Sequence, residues 1–298
     1  KDAGIPHETA ISDSREDATR VIHDAVEAGY RKFIAVGGDG TLNSLVTGIF
    51  QQQKVSPSEI MIAIIPVGTG NDWIKTHHIP NSISKSIDII KNGRTVFHDI
   101  GILTPLETTH ALSPDQTMHA LSPDQTTHAL SLPRYFINVA GFAFQGFVAE
   151  RIEGTSNWLK IGPGAFYLGL VEALFRYRAT DVSIVMGNEH AEGKFFNISI
   201  GVCNYAGGGM KVTPDAIVDD GLLDITVSGD LGKWEVIKNI PRLFSGAFVS
   251  HPKISQFKTK KISISSVPPA PIETDGEVVG YGDWEIGIIQ KGIRVIVG

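Results

Sequence analysis

Two dense glycine segments, Gly37-Gly38-Asp39-Gly40-Thr41 and Gly68-Thr69-Gly70-Asn71-Asp72, each follow a short apolar run, residues 33–36 and 61–65. Apolar runs of that length bounded by turn residues read as buried strands. Both turns are therefore expected at the same edge of one sheet. Glycine at 37, 38 and 40 permits positive φ and puts no Cβ in the way, so successive N–H groups can face one anion. A helix predicted over residues 42–50 adds the positive end of its dipole. A carboxylate repels phosphate, so Asp39 is expected to hold a sugar or nucleobase group, or a Mg²⁺ that in turn holds phosphate. The alternative is a pair of ordinary strand-to-helix turns, and Gly-Gly-Asp-Gly-Thr is denser than such a turn requires. Thr69, Asn71 and Asp72 can cap the next helix while still presenting polar groups to a ligand.

The chain of 298 residues exceeds the usual size of one hydrophobic core, and 42% hydrophobic with 19% charged residues is ordinary for a globular protein, so two domains are expected. A formal charge of −6 gives no broad pull toward nucleic acid, which excludes that class of partner and makes any anion site local. The single cysteine, Cys203, excludes an internal disulfide and a Cys-Cys zinc pair, suits a reducing cytoplasm, and reads as a buried small hydrophobe. No apolar run reaches the ~18 residues that span a bilayer, and no charged-then-apolar leader opens the chain, so a soluble protein is expected.

In chain order, residues 1–11 are predicted to end in a short strand, and a helix over 15–28 takes Ser12 or Ser14 as its cap. The adjacent His77-His78 pair does not share a helix face and has no evident third ligand, which argues against metal. A helix over 82–92 precedes a strand over 95–103, in which Asp99 either has a buried partner or faces solvent on an edge. Residues 108–116 (TTHALSPDQ) recur as 117–125 and begin again at 126–131, too few copies for a solenoid; they are expected to form a surface loop. Its histidines, 110, 119 and 128, are weak ground for metal.

From residue 134 onward, strands are predicted at 135–140, 181–186, 195–203, 223–228, 261–265, 285–289 and 293–297, the pattern of an antiparallel sandwich. Helices at 164–177 and at 233–240, before Pro241, interrupt it, and the Gly207-Gly208-Gly209 loop is expected to approach the cleft between domains. Oxygen groups clustered around Gly221 in residues 214–224 either hold a hard cation or form a plain solvated turn. Asp275, in Thr274-Asp275-Gly276-Glu277, is either a carboxylate that accepts a proton during phosphoryl transfer or part of an ordinary Asp-Gly turn.

Gly-Gly-Asp-Gly-Thr followed at about thirty residues by Gly-Thr-Gly-Asn-Asp resembles the catalytic domain of diacylglycerol kinases, sphingosine kinases and soluble bacterial lipid kinases. The first motif also occurs in NAD kinases, whereas the second is typical of the lipid-kinase branch. His98-Asp99-Ile100-Gly101, residues 138–147, PDAIVDDGLLD at 214–224 and Thr274-Asp275-Gly276-Glu277 extend the resemblance over nearly the whole chain. The family's opening Asn-Pro-x-Ser-Gly turn has no counterpart here, and Ser44 stands where the family often has Glu.

The resemblance implies an α/β nucleotide-binding domain, residues 1–98, and a mostly antiparallel β-sandwich acceptor domain, residues 99–298, as in NAD kinase and diacylglycerol kinase folds. It implies ATP on Ser12, Gly37, Gly38, Asp39, Gly40, Thr41, Gly68, Thr69, Gly70, Asn71 and Asp72. Mg²⁺ would lie in a carboxylate network of Asp39, Asp72 and Asp99, and a structural Mg²⁺ on Asp220 with the carbonyls of Ile217 and Leu222. Asp275, Glu277 and Asp39 are the implied catalytic residues, with Asp275 the base. The implied activity is ATP-dependent phosphorylation of a lipid hydroxyl by a cytoplasmic protein touching a membrane surface, with room for a homodimer. The docking surface is expected at Lys258, Lys260 and Lys261 beside Phe257, or around Trp158 and Phe166. A NAD kinase-like enzyme and a catalytically silent nucleotide or lipid sensor are the alternatives.

Overall fold

The computed structural model describes residues 4–68, 70–106, 133–153 and 163–298; Thr69, the repeat at 108–131, Trp158 and the side chain of Phe166 lie outside the described residues. Helix α1 (Arg15–Glu27) starts at Ser14, whose hydroxyl accepts the Asp17 N–H at 3.1 Å. Ser14 is therefore the cap, and residues 4–12 take no regular structure in place of the expected short strand. Strand β1 (Lys32–Gly37), helix α2 (Asp39–Gln51) and strand β2 (Met61–Pro66) follow, with β1 and β2 parallel. Leu42, Val46 and Ile49, at helical spacing, bury one face of α2 in a core shared with Ile62 and Ile64 of β2. Helices α3 (Trp73–Thr76) and α4 (Ile83–Asn92) lead into β3 (Arg94–Pro105).

Beyond residue 133 come β4 (Arg134–Phe136), β5 (Val139–Ala143), α5 (Phe144–Glu153), α6 (Pro163–Arg176), β6 (Thr180–Met186), β7 (Glu189–Phe195), β8 (Asn197–Gly201) and β9 (Leu223–Ser228). They are followed by α7 (Lys233–Ser245), β10 (Ile254–Thr259), β11 (Lys261–Val267), β12 (Pro271–Thr274), β13 (Glu277–Tyr281) and β14 (Trp284–Val297). Six of these strands form an antiparallel sheet in the order β10-β9-β8-β5-β12-β13. A second core, with Phe142, Ile198, Ile225, Ile264 and Trp284, lies with this half of the chain.

The eight-stranded sheet, β1-β2-β14-β11-β6-β7 with β3 branching from β14 and β4 paired to β3, joins the two halves. Strand β14 returns to lie parallel to β2, with Arg294 opposite Met61, and antiparallel to β3 over nearly its full length. The 98/99 boundary expected from the sequence thus falls inside β3, and the α/β part is completed by the end of the chain. The two strands predicted at 285–289 and 293–297 are halves of β14, separated by a bulge where Lys291 takes φ 52°. Helix α7 passes through Pro241 to Ser245 instead of ending at 240, and Gly246, with φ 76°, terminates it. Among the described residues no helix is long and apolar enough to cross a membrane.

Candidate active site

The two glycine turns meet as expected, but for a different steric reason. None of Gly37, Gly38 and Gly40 has positive φ. A Cβ on Gly68 would lie 2.5 Å from the Cα of Gly38, and one on Gly37 would lie 2.1 Å from the Thr41 hydroxyl oxygen. Glycine is required at 38 and 68 because two backbones touch and at 37 because the Thr41 side chain fills the space, not because the chain turns left-handed. Gly38 is the N-cap of α2, so the first N–H groups of that 13-residue helix open at the contact with no intrahelical acceptor.

Asp39 ties the turns together. Its Oδ2 accepts the Asp72 N–H at 2.8 Å and its Oδ1 the Trp73 N–H at 3.1 Å, so it caps α3 from outside. Burial holds its carboxyl above the usual range, against those two hydrogen bonds. Asp72 accepts Lys75 Nζ at 2.5 Å and, across the cleft, the Gly208 N–H at 2.7 Å. The Gly207-Gly208-Gly209 loop therefore does reach the second glycine turn, at Asp72. Asn71 takes φ 46°, and its Oδ1 is buried without a hydrogen-bond partner.

Asp275 and Gly276 both have positive φ, the geometry of an Asp-Gly hairpin turn, here joining β12 to β13. The carboxylate is held by four N–H donors. Its Oδ2 accepts Asn43 Nδ2 at 2.8 Å and Ile137 N at 3.0 Å; its Oδ1 accepts Asn138 N at 3.0 Å and Val139 N at 3.1 Å. Burial raises its pKa to about 6 in spite of them. Asn43 also donates to the Tyr135 carbonyl at 3.0 Å, so one side chain of α2 ties the hairpin to the N-terminal half. Glu273, 2% exposed, accepts Gln145 Nε2 at 2.6 Å and the Gly276 N–H at 2.7 Å. Sequence reasoning missed Asn43 and Glu273; each is a polar residue on an otherwise apolar face, which is the signal that could have found them.

Asp39, Asp72, Asn138, Glu273, Asp275 and Gly276 line one cavity of about 330 Å³. The rest of its wall is mostly apolar, with Phe144 and Val148 of α5, Leu170 and Leu174 of α6, and Val236, Ile240 and Leu243 of α7. The other expected site residues are elsewhere. Ser12 is exposed in the segment before α1. Glu277 forms an ion pair with Arg15, and its Oε1 lies 3.3 Å from where a Cβ on Gly40 would be. Asp99 is fully buried and has no hydrogen bond to the Asp39 and Asp72 pair: its oxygens accept Gly221 N at 2.7 Å and Lys291 N at 2.6 Å. It thus braces the 217–222 loop, where Asp220 Oδ1 accepts the Leu222 N–H at 2.9 Å and Ile217 is exposed. Lys258, expected on a docking surface, lies 3.0 Å from Asp224 and 3.5 Å from Asp220, and Lys261 pairs with Glu285 at 2.6 Å.

Comparison with known proteins bears on the family and the fold. The profile of the diacylglycerol kinase catalytic domain matches residues 1–103, and that of the YegS C-terminal NAD kinase beta sandwich-like domain matches residues 142–297. The diacylglycerol kinase of Staphylococcus carnosus (strain TM300) is 30% identical over 280 residues, covering 93% of this chain and 80% of its own. That of Staphylococcus epidermidis is 30% identical, with 93% and 78% covered. The crystal structure of a diacylglycerol kinase from Bacillus anthracis str. Sterne superposes with a TM-score of 0.66 at 20% identity, over 96% of this chain and 83% of that one, a likeness of fold. Matched along both halves and nearly end to end, the chain belongs to the diacylglycerol kinase family.

Proposed function

We propose that this chain is an ATP-dependent lipid kinase that phosphorylates a hydroxyl of a lipid such as diacylglycerol. The observation that carries this reading is the cavity whose wall holds Asp39, Asp72 and Asp275 together with the aliphatic and aromatic side chains of α5, α6 and α7. Acyl chains suit such walls. The phosphates and sugar hydroxyls of NAD would be left without partners on them.

In this reading the phosphates of ATP rest on residues 37–41 at the positive end of α2, and on the second turn, Gly68, Thr69, Gly70, Asn71 and Asp72, with Lys75 beside it. Ser12 joins from the segment before α1. Asp39 and Asp72 would hold a Mg²⁺ at the nucleotide: each of their oxygens has one hydrogen bond in the structure and so keeps a lone pair. Asp220 with the carbonyls of Ile217 and Leu222 would hold a structural one, an all-oxygen set that suits a hard cation. Bound at the nucleotide, the ion supplies positive charge against the phosphate oxygens.

Asp275 takes the proton of the acceptor hydroxyl once one of its four N–H donors gives way and frees a lone pair. The acceptor oxygen then bonds to the γ-phosphorus, the bond from that phosphorus to the bridging oxygen breaks, and ADP leaves. Asn138 Oδ1, buried and without a hydrogen-bond partner, is an acceptor on the same wall for orienting the hydroxyl. Glu277 works from the rim, holding Arg15 beside Gly40. Peripheral contact with a membrane falls to α7, one face of which lines the cavity while Trp234, 69% exposed, Lys238 and Arg242 face outward.

Transfer of labelled γ-phosphate from ATP to a panel of dispersed lipids and to NAD tests this directly. Labelled lipid is the expected product. Label on NAD alone would overturn the lipid reading, and label on neither would favour a sensor.

A further inference from the structure

Behind Asp72, three side chains that the kinase chemistry does not use come together. His77 ends α3, His98 lies in β3 and Cys203 follows β8, and one ligand atom from each lies within 4.8 Å of the other two. Cys203 Sγ is 3.4 Å from His98 Nε2. A nitrogen at ~2.0 Å and a sulfur at ~2.3 Å from one tetrahedral zinc are about 3.5 Å apart, so this pair already has the spacing of two ligands. His98 Nδ1 lies 2.5 Å from the Asp99 carbonyl, the bond that commits the other ring nitrogen to accepting and that commonly supports a zinc-bound imidazole. His77 Nε2 is buried with no hydrogen-bond partner, a state that native polar atoms rarely keep. Burial keeps both imidazoles in the neutral, ligating form.

We propose that His77, His98 and Cys203 form a binding site for a borderline-soft divalent cation, zinc foremost, with two imidazole nitrogens, one thiolate and a fourth position for water. Binding breaks the Cys203 S–H bond, sends the proton to solvent and forms a sulfur–metal bond. Burial holds the free thiol well above its ordinary range, so the metal must displace that proton. A thiolate and two imidazoles do not suit Mg²⁺, which separates this site from the oxygen donors at 217–222. His98 and Cys203 are fully buried, while His77 is partly exposed and offers the way in. An ion here would tie α3, whose N-cap is Asp72, to the segment leaving β8. The rival for His98 Nε2 is the indole N–H of Trp73 at 3.3 Å, and a merely packed cluster takes up no metal.

The test is titration of the full chain with Co²⁺ in thiol-free buffer, kept reducing with a phosphine and containing excess Mg²⁺ to occupy carboxylate sites. Cys203 is the chain's single cysteine, so any sulfur-to-cobalt charge-transfer band reports on it alone. The band should saturate near one equivalent, vanish when Zn²⁺ is added, and be absent in Cys203→Ser. Zn²⁺ should also raise Tm. His77→Gln, at the partly exposed edge, should weaken zinc binding by at least ~10-fold. No charge-transfer band in the unmutated protein would overturn the site, and so would unchanged zinc affinity in His77→Gln.

Discussion

Replacing Asp275 with Asn is usually treated as a conservative removal of a base, but the four donors around this carboxylate make it something else. An amide offers one oxygen where the carboxylate offers two. If its NH₂ takes the Oδ1 position, it confronts the N–H groups of Asn138 and Val139. If it takes the Oδ2 position, it confronts Ile137 N–H and Asn43 Nδ2, and Asn43 cannot turn its amide over without facing its own oxygen to the Tyr135 carbonyl. Either way two buried polar groups lose their partners, at about 1–3 kcal/mol each. The sum, about 2–6 kcal/mol, corresponds to a fall in Tm of roughly 3–10 °C for a chain of this size. Loss of the base separately lowers kcat by ~10² to 10⁴. The assay is calorimetry of both proteins, then kcat measured well below the lower Tm, so that the two effects are read apart. A Tm within ~2 °C of the unmutated protein would refute the four-donor arrangement, and full kcat in a folded variant would refute the base.

With Asp275 held at about 6 by burial, kcat/KM should fall tenfold per unit as pH drops below that value, because the base must be deprotonated; a pH-rate profile flat down to pH 5 would exclude it. Asp39→Asn should weaken ATP binding, measured by calorimetry, together with rate, because Asp39 organises the second turn through Asp72 and Trp73. Gly68→Ala should destabilise the protein and abolish nucleotide binding, since its Cβ would enter the Gly38 backbone; unchanged ATP affinity would refute the contact. Asp224, raised to about 6 chiefly by burial, favours the fold fully below its ordinary value of 3.8 and loses that contribution as pH rises through about 6. The Tm of the unmutated protein should therefore fall relative to that of Asp224→Asn from pH 4 to pH 7. Trp234→Ala should reduce sedimentation with lipid vesicles and leave ATP binding intact; equal sedimentation would remove α7 as the docking surface.

The parts of this fold that were legible in the sequence are those whose local chemistry and tertiary role coincide. Residues 33–36 and 61–65 are apolar because they are buried strands, and glycine crowds their ends because the two turns touch. Strands β7, β10 and β13 were not legible, because their partly exposed faces carry too few apolar residues for a period of two to show. Nor could spacing reveal that β14 closes the N-terminal sheet, since its register with β2 joins residues more than 230 positions apart. Of the two positions open to Asp99 the fold takes the buried one, but local sequence could not say that two backbone N–H groups, and not other carboxylates, would be its partners. His98 and Cys203 were legible only as single residues, and the fold alone brings them together.

The carboxylates of the cleft share one feature that bears on how the site assembles. Asp39 of the first turn accepts backbone N–H groups of the second. Asp72 accepts one from the glycine loop after β8, and Asp275 accepts four, including the side chain of Asn43 on α2. None of these bonds lies within one secondary-structure element, so none can form before the elements meet. A buried carboxylate without donors costs several kcal/mol, and docking that satisfied only some of them would leave the others paying that cost. The N-terminal half and the β-rich half are therefore stable together only in the register that faces Asp275 toward the turns of Asp39 and Asp72. The residues proposed for chemistry double as the fasteners of the cleft, which is why their replacement should disturb stability and rate together, and why Tm and the pH-rate profile are both needed beside kcat.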